Sequence, residues 1–199
     1  MSKIDFKKTL KPFYNPKPKQ FEFIKIPKLN FIMIDGIGSP GTSAAYLDSL
    51  AALYPLAYKL KFMAKLNGQD YVVPSLEALW WADDMADFIN DNKDNWRWTL
   101  MLMLPEWISD QMITEAKSIV AIGKAKKPAP KLISQVRVET YEEGLVAQYL
   151  HIGSYADEAP ILKYMHHEYI PQNGYKMSNQ QSKIHKHHEI YISDPRKVA

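Results

Sequence analysis

The chain repeats itself, and any fold it adopts has to accommodate the repetition. Residues 31–39 read Phe-Ile-Met-Ile-Asp-Gly-Ile-Gly-Ser and lead into a helical stretch; residues 147–154 read Ala-Gln-Tyr-Leu-His-Ile-Gly-Ser and do the same. Roughly 35–40 residues after each Ile-Gly-Ser comes a strand-like run with a glutamate near its start, a similar spacing that points to an internal repeat. These runs are Leu76-Glu77-Ala78-Leu79-Trp80-Trp81 and His188-Glu189-Ile190-Tyr191-Ile192-Ser193. One strand–helix–strand–strand unit used twice gives an α+β fold. The two β-α-β-β units are expected about a pseudo-twofold axis, with helices on one side of the sheets and a cleft along the other.

The elements follow from local signals. Residues 1–20, rich in lysine and proline, read as a surface tail with Phe13 and Tyr14 as anchors. Residues 21–26 alternate as a strand, Pro27 breaks it, and residues 30–35 form a second, buried strand. Thr42 or Ser43 caps a helix running to about Leu66, kinked or split at Pro55 because a mid-helix proline loses a backbone hydrogen bond. Strands are expected over 71–73, 75–81 and 96–104, then a helix over 109–124 capped by Ser109 or Asp110. The basic, proline-bearing segment 123–131 is the seam between half-repeats at about 21–122 and 132–199, which together make one domain over 21–199. Strands over 135–140 and 145–152, a helix over 156–170 and a strand over 188–193 complete the second half.

Composition removes several function classes. A net charge of +3 with scattered basic residues does not suit nucleic acid. Without cysteine there is no disulfide framework, thiolate nucleophile or cysteine-based zinc site. No apolar run reaches the roughly 18 residues of a membrane span, and the start lacks the apolar core of a signal peptide, so a cytoplasmic protein is expected. Residues 36–41 match GxGxxG, but no acidic residue follows about 20 positions on, so a turn is the better reading than a dinucleotide site. His185 and His187 with Glu189 form a conceivable three-ligand metal site, opposed by Lys183 and Lys186; no metal and no cofactor is expected.

Several runs together resemble the GyrI-like small-molecule-binding family, and within it a stand-alone branch. They are Leu53-Tyr54 with Tyr58-Lys59-Leu60-Lys61-Phe62; Leu76 to Asp84; Trp96-Arg97-Trp98-Thr99; His151-Ile152-Gly153-Ser154-Tyr155; and His188 to Arg196. The resemblance implies two repeated β-α-β-β units of the GyrI-like, SOUL-like kind around a ligand cleft, with Glu189 inside it. In drug-binding relatives the equivalent carboxylate meets cationic aromatic ligands. The double tryptophan and the second-half signature look closest to cyclopropanoid cyclopropyl hydrolases. These open the cyclopropane of DNA-alkylating antibiotics of the yatakemycin and duocarmycin type, using an aromatic cage. The family is also named for gyrase inhibition, which implies gyrase as a protein partner beside the small-molecule aromatic ligand. No DNA-binding module is recognisable, which argues against a transcription regulator.

Strand alternation puts Glu189, Tyr191 and Ser193 on one face and His188, Ile190 and Ile192 on the other. The apolar set should meet the helices, leaving Glu189 and Tyr191 for the cleft, and the same argument groups Glu77, Leu79 and Trp81. A carboxylate among indole and phenol rings is desolvated, so its pKa is expected to rise. It then suits either cation pairing, aided by cation–π contacts, or general-base activation of water. Glu189 is the candidate base and Tyr191 a donor or wall; Glu77, Trp81, Trp98 and Tyr149 are the candidate ligand-binding residues. A parity error of one residue would exchange Trp81 for Trp80. Hydrolysis and sequestration of aromatic or cationic compounds without turnover both fit this pattern.

Overall fold

The computed structural model describes residues 3–84, 87, 90–123, 128–177 and 186–193. The chain divides into two compact units, one made of residues 1–6, 29–141 and 187–199, the other of residues 7–28 and 142–186. The elements in order are helices α1 (Phe6–Thr9) and α2 (Lys11–Tyr14), strand β1 (Phe21–Ile37), helix α3 (Ala44–Leu66), strands β2 (Leu76–Trp81) and β3 (Arg97–Leu104), helix α4 (Asp110–Ile122), strand β4 (Arg137–Tyr149), helices α5 (Glu158–Tyr164) and α6 (Ile170–Gln172), and strand β5 (His187–Ile190). The α+β class is as expected. No helix among the described residues is long and apolar enough to cross a membrane.

In the first unit the sheet has the order β4-β1-β3-β2-β5, with β1–β3, β3–β2 and β2–β5 all antiparallel. One face carries Ile32, Ile34, Ala78, Trp80, Trp98, Leu100 and Leu102 into a core with Ala52, Leu53, Leu56, Ala57 and Leu60 of α3. These helical positions recur every three or four residues, so one stripe of α3 faces the sheet. The Ser43 hydroxyl starts α3 by accepting the Tyr46 backbone N–H at 3.3 Å, and the Ser109 hydroxyl caps α4 through Met112 in the same way. The opposite sheet face buries Phe31, Met33, Glu77, Leu79, Thr99, Met101 and Met103.

That second face is enclosed because the sheet curls. Edge strands of a flat five-stranded sheet would stand about 19 Å apart at ~4.8 Å per strand. Yet the ring of Tyr141 on β4 meets that of His188 on β5 with centroids 6.4 Å apart. Arg137 fastens β4 to β1 by forking onto both Asp35 oxygens at 2.9 and 3.1 Å, and Thr99 donates to the same carboxylate at 2.7 Å.

In the second unit Phe21 packs on Tyr149 and Tyr169, with centroids 4.6 and 5.0 Å apart, and Phe23 stacks on Tyr169 at 5.1 Å. Tyr14 is buried. Gln148 donates to the Glu22 carboxylate at 2.8 Å.

Several boundaries differ from the sequence reading, each for a physical reason. Pro27 does not break β1: pairing with β3 begins at Asn30, so the missing N–H falls where β1 has no β3 neighbour. Pro55 does not split α3, because buried residues on either side of it anchor both turns to the same core. Residues 71–73 form no strand; Tyr71 makes only an isolated bridge to Ile4. Residues 135–140 and 145–152 resolve into the single strand β4, which crosses Gly144 at φ +77°. The helix expected over 156–170 is a 3-10 turn, then α5, a π-helical turn Met165–Tyr169, and α6. Strand β5 is shorter than expected, and Asp194-Pro195, His185 and part of the 123–131 linker lie outside the described residues.

Lys61 of α3 lies 2.9 Å from Asp70, and the pair is nearly enclosed. The Lys61 hydrogen bond outweighs the opposing effect of burial and, with the charges of Lys61, Lys65 and Lys3, holds the Asp70 carboxyl below its ordinary value. The resulting stability is fully present above the unfolded value of about 3.9 and is lost as pH falls through the lower folded one. Urea midpoints of the wild type and Asp70→Asn should therefore differ at neutral pH and converge in acid. A constant difference would contradict the assignment.

Candidate functional site

The β2–β5 ladder decides which side chains meet. Its register pairs Trp80 with His187, Leu79 with His188, Ala78 with Glu189 and Glu77 with Ile190. Directly paired residues of an antiparallel ladder share a face. Glu189 therefore stands with Ala78 on the α3 side, and Tyr191, which follows β5 and donates its backbone N–H to Leu76, packs against the same core. Glu189 and Tyr191 do share a face, but it is the helix face rather than the opposite one. Glu77, Leu79, His188 and Ile190 occupy the other face. The apolar Ile190 was expected to choose the helices; the register overrides it, because Ala78 and Trp80 already fill that side.

On the helix face the polar groups form a chain. The Tyr191 hydroxyl donates to Glu189 Oε2 at 2.5 Å, and the Trp80 indole N–H donates to the Tyr191 oxygen at 3.1 Å. His187 Nε2 stands 3.4 Å from Glu189 Oε1. Aromatic rings pack on the Trp80 end of the chain. Tyr46, from the first turn of α3, stacks on Trp80 with centroids 6.5 Å apart and meets Trp98 edge-on at 5.5 Å, and Trp96 is edge-on to Trp80 at 6.1 Å. The Glu189 side chain keeps 24% of its surface exposed.

Burial pushes the Glu189 carboxyl up, but the hydrogen bond and charge of His187, with the Tyr191 and Trp80 donors, outweigh it and hold the group below its ordinary value. The expected rise is thus reversed, since the rings bring donors with them. Burial first, then the adjacent Glu189 charge, push the Tyr191 phenol well up, so it stays a neutral donor. The arrangement supplies an ionised carboxylate at the edge of an aromatic nest.

The other sequence candidates are dispersed. Trp98 is fully buried beside Trp80, its indole N–H donating to the Gly38 carbonyl at 3.1 Å, so it is a wall of the core behind the nest. Gly36, its direct partner on β1, has no room for a Cβ, which would overlap the Trp98 benzo ring. That is what the first glycine of the GxGxxG match is for. Glu77 is enclosed on the opposite face, 3.1 Å from His188 Nε2. Trp81, half-buried at the end of β2, is on that face too, opposite Arg97. Tyr149 belongs to the second unit, where it packs on Phe21. Sequence reasoning missed Tyr46 as a ring packed on Trp80, placed His187 beside Glu189 only as a metal ligand, and held Trp80 only as the parity alternative to Trp81. Among the described residues no cluster of three or more His, Asp or Glu could hold a metal ion.

Comparison with known proteins adds the family. The description "GyrI-like small molecule binding domain" matches residues 19–199. Among solved structures, an uncharacterized conserved protein from Listeria innocua is 36% identical, with a TM-score of 0.86 over 99% of this chain and 94% of that one. A hydrolase from Listeria innocua is 35% identical, with a TM-score of 0.82 over 99% and 93%. Another Listeria innocua hydrolase structure is also 35% identical, with a TM-score of 0.83 over 100% and 94%. No curated protein matches. By the extent of the match and the identity to these structures, the chain belongs to the GyrI-like small-molecule-binding domain family.

Proposed function

We propose that this chain binds planar aromatic xenobiotics beside Glu189 and hydrolyses the strained cyclopropane of DNA-alkylating antibiotics of the yatakemycin and duocarmycin type, protecting the cell that holds it from within the cytoplasm. The observation that carries the reading is the Glu189 carboxylate, ionised, on a partly exposed side chain and linked through Tyr191 to the Trp80 indole, on which Tyr46 and Trp96 pack. Family membership and the two Listeria innocua structures described as hydrolases support it.

The step balances without metal or covalent nucleophile. Glu189 accepts a proton from a water whose oxygen attacks the cyclopropane methylene. The ring C–C bond breaks, and its electron pair passes through the conjugated system to the carbonyl oxygen. That oxygen becomes a phenolate and takes up a proton, so one water is added overall. A carboxylate held below its ordinary pKa is a weak base, which suffices because ring strain and aromatisation drive the reaction. Tyr191 spends its proton on Glu189 and its oxygen on Trp80, so it orients the carboxylate and walls the nest rather than donating to substrate.

A single turnover in oxygen-labelled water tests this. Label in the released product supports water attack; a protein adduct of the compound would mean covalent capture instead. The same ionised carboxylate among rings also favours a second reading, sequestration of cationic aromatic compounds without turnover.

A further inference from the structure

The β2–β5 ladder carries a carboxylate on each face, and β5 supplies a histidine to each. His187 accompanies Glu189 on the α3 side, and His188 pairs with Glu77 on the other. The second pair is the more enclosed, with Glu77 and His188 side chains 2% and 11% exposed. Their bond runs diagonally across the ladder, because His188 is registered with Leu79 and Glu77 with Ile190. Tyr141 of β4 closes over the His188 ring edge-on.

β5 has four residues and, among the described residues, pairs on one side only, with β2. A one-residue slip would turn Glu189 to the far face and bring His188 under α3. Apolar patterning does little to prevent this, since Ile190 already stands away from the α3 core while Glu189 stands beside it. What distinguishes the observed register is polar. Trp80, Tyr191 and Glu189 interlock on one face, and Glu77 finds His188 on the other. A slip would put His187 in place of His188 on that face but would bring Glu189 with it, setting a second carboxyl group beside the enclosed Glu77 where the observed register sets only a histidine.

We propose that Glu77 and His188 form a positioning pair: their buried bond sets the register of β5 and so holds Glu189 and Tyr191 in place for the chemistry on the opposite face. The proposal rests on the reading of Glu189 as the working carboxylate. The Trp80 indole N–H reports the position of Tyr191 whether or not the protein turns over, so the two claims can be tested separately.

The full-length protein is labelled at its tryptophan indole nitrogens, and the Trp80 signal is assigned with Trp80→Phe. In His188→Leu that signal should shift, and kcat on a duocarmycin-type cyclopropane compound should fall about 100-fold, the scale of a roughly 1 Å misplacement, with KM little changed. His188→Gln, which keeps a side-chain N–H for Glu77, should restore both. If His188→Leu does not fold, Glu77→Gln takes its place, with a smaller shift and slower turnover expected. An unmoved Trp80 signal with unchanged kcat overturns the proposal, even if the melting temperature drops, because the pair would then contribute stability alone. A moved signal in a protein whose wild type shows no turnover upholds the positioning and sinks the reading of Glu189.

Discussion

Glu189→Gln is expected to leave ligand affinity within a few-fold of the wild type and to lower hydrolysis by about 100-fold or more, the usual scale for loss of a general base. The amide keeps the volume of the side chain, and its oxygen can still accept the Tyr191 hydroxyl, so the aromatic nest should persist. It cannot take a proton from water. Measuring Kd and kcat separately distinguishes the readings. Loss of kcat at constant Kd supports the base. Weakened binding of a cationic dye, with no turnover in the wild type, supports sequestration. Unchanged kcat removes Glu189 from the mechanism. The direction of its pKa adds a second check. Because His187 and the donors outweigh burial, the carboxylate stays ionised below the ordinary value of about 4.3. The base should therefore cause no loss of kcat/KM between neutrality and that value, and should fail only on further acidification.

Gly36→Ala should be the most damaging small substitution in the sheet, by about 3 kcal/mol, the upper end of the cost of overpacking. Gly36 lies in β1 and is not among the glycines with positive φ, so backbone strain is not the cause. The obstacle is the Trp98 ring, which the new Cβ would overlap. The ring has little freedom to retreat, being fully buried, tied to the Gly38 carbonyl and packed edge-on against Tyr46. For a chain of this size the melting temperature should fall by about 6–12 °C. Combining Gly36→Ala with Trp98→Phe should cost less than the two changes added together, because the smaller ring makes room. Additive costs would show that the two residues do not share that space.

The parts of the fold that depend on near neighbours were legible in the sequence. Ser43 and Ser109 cap helices because a hydroxyl three residues from a backbone N–H is a local matter. The limits of β2 and β3 follow from continuous apolar runs. Pro27 was misread because it falls where β1 has no β3 neighbour, and Pro55 does not split α3 because a core anchors both sides of it.

The site divides in the same way. Alternation showed that Glu189 and Tyr191 share a face, but which face depends on a register with β2, more than a hundred residues away in the chain. Ala78 and Trp80 fix that choice, and nothing in His188 to Ser193 announces it. The pKa of Glu189 was misjudged for a related reason. Desolvation is visible in a string of aromatic residues. Alternation also puts His187 on the face of Glu189, but that its ring nitrogen comes within 3.4 Å of the carboxylate is visible only once both side chains are placed.

The most direct test of the account is turnover by the wild-type protein. The purified chain is incubated with a molar excess of a duocarmycin-type cyclopropane compound, and the mixture is followed by mass spectrometry beside a protein-free blank. The account predicts accumulation of the water adduct well past one equivalent per protein, faster than in the blank. Consumption that stops at one equivalent, or a compound retained but unchanged, would contradict hydrolysis and leave a binding protein.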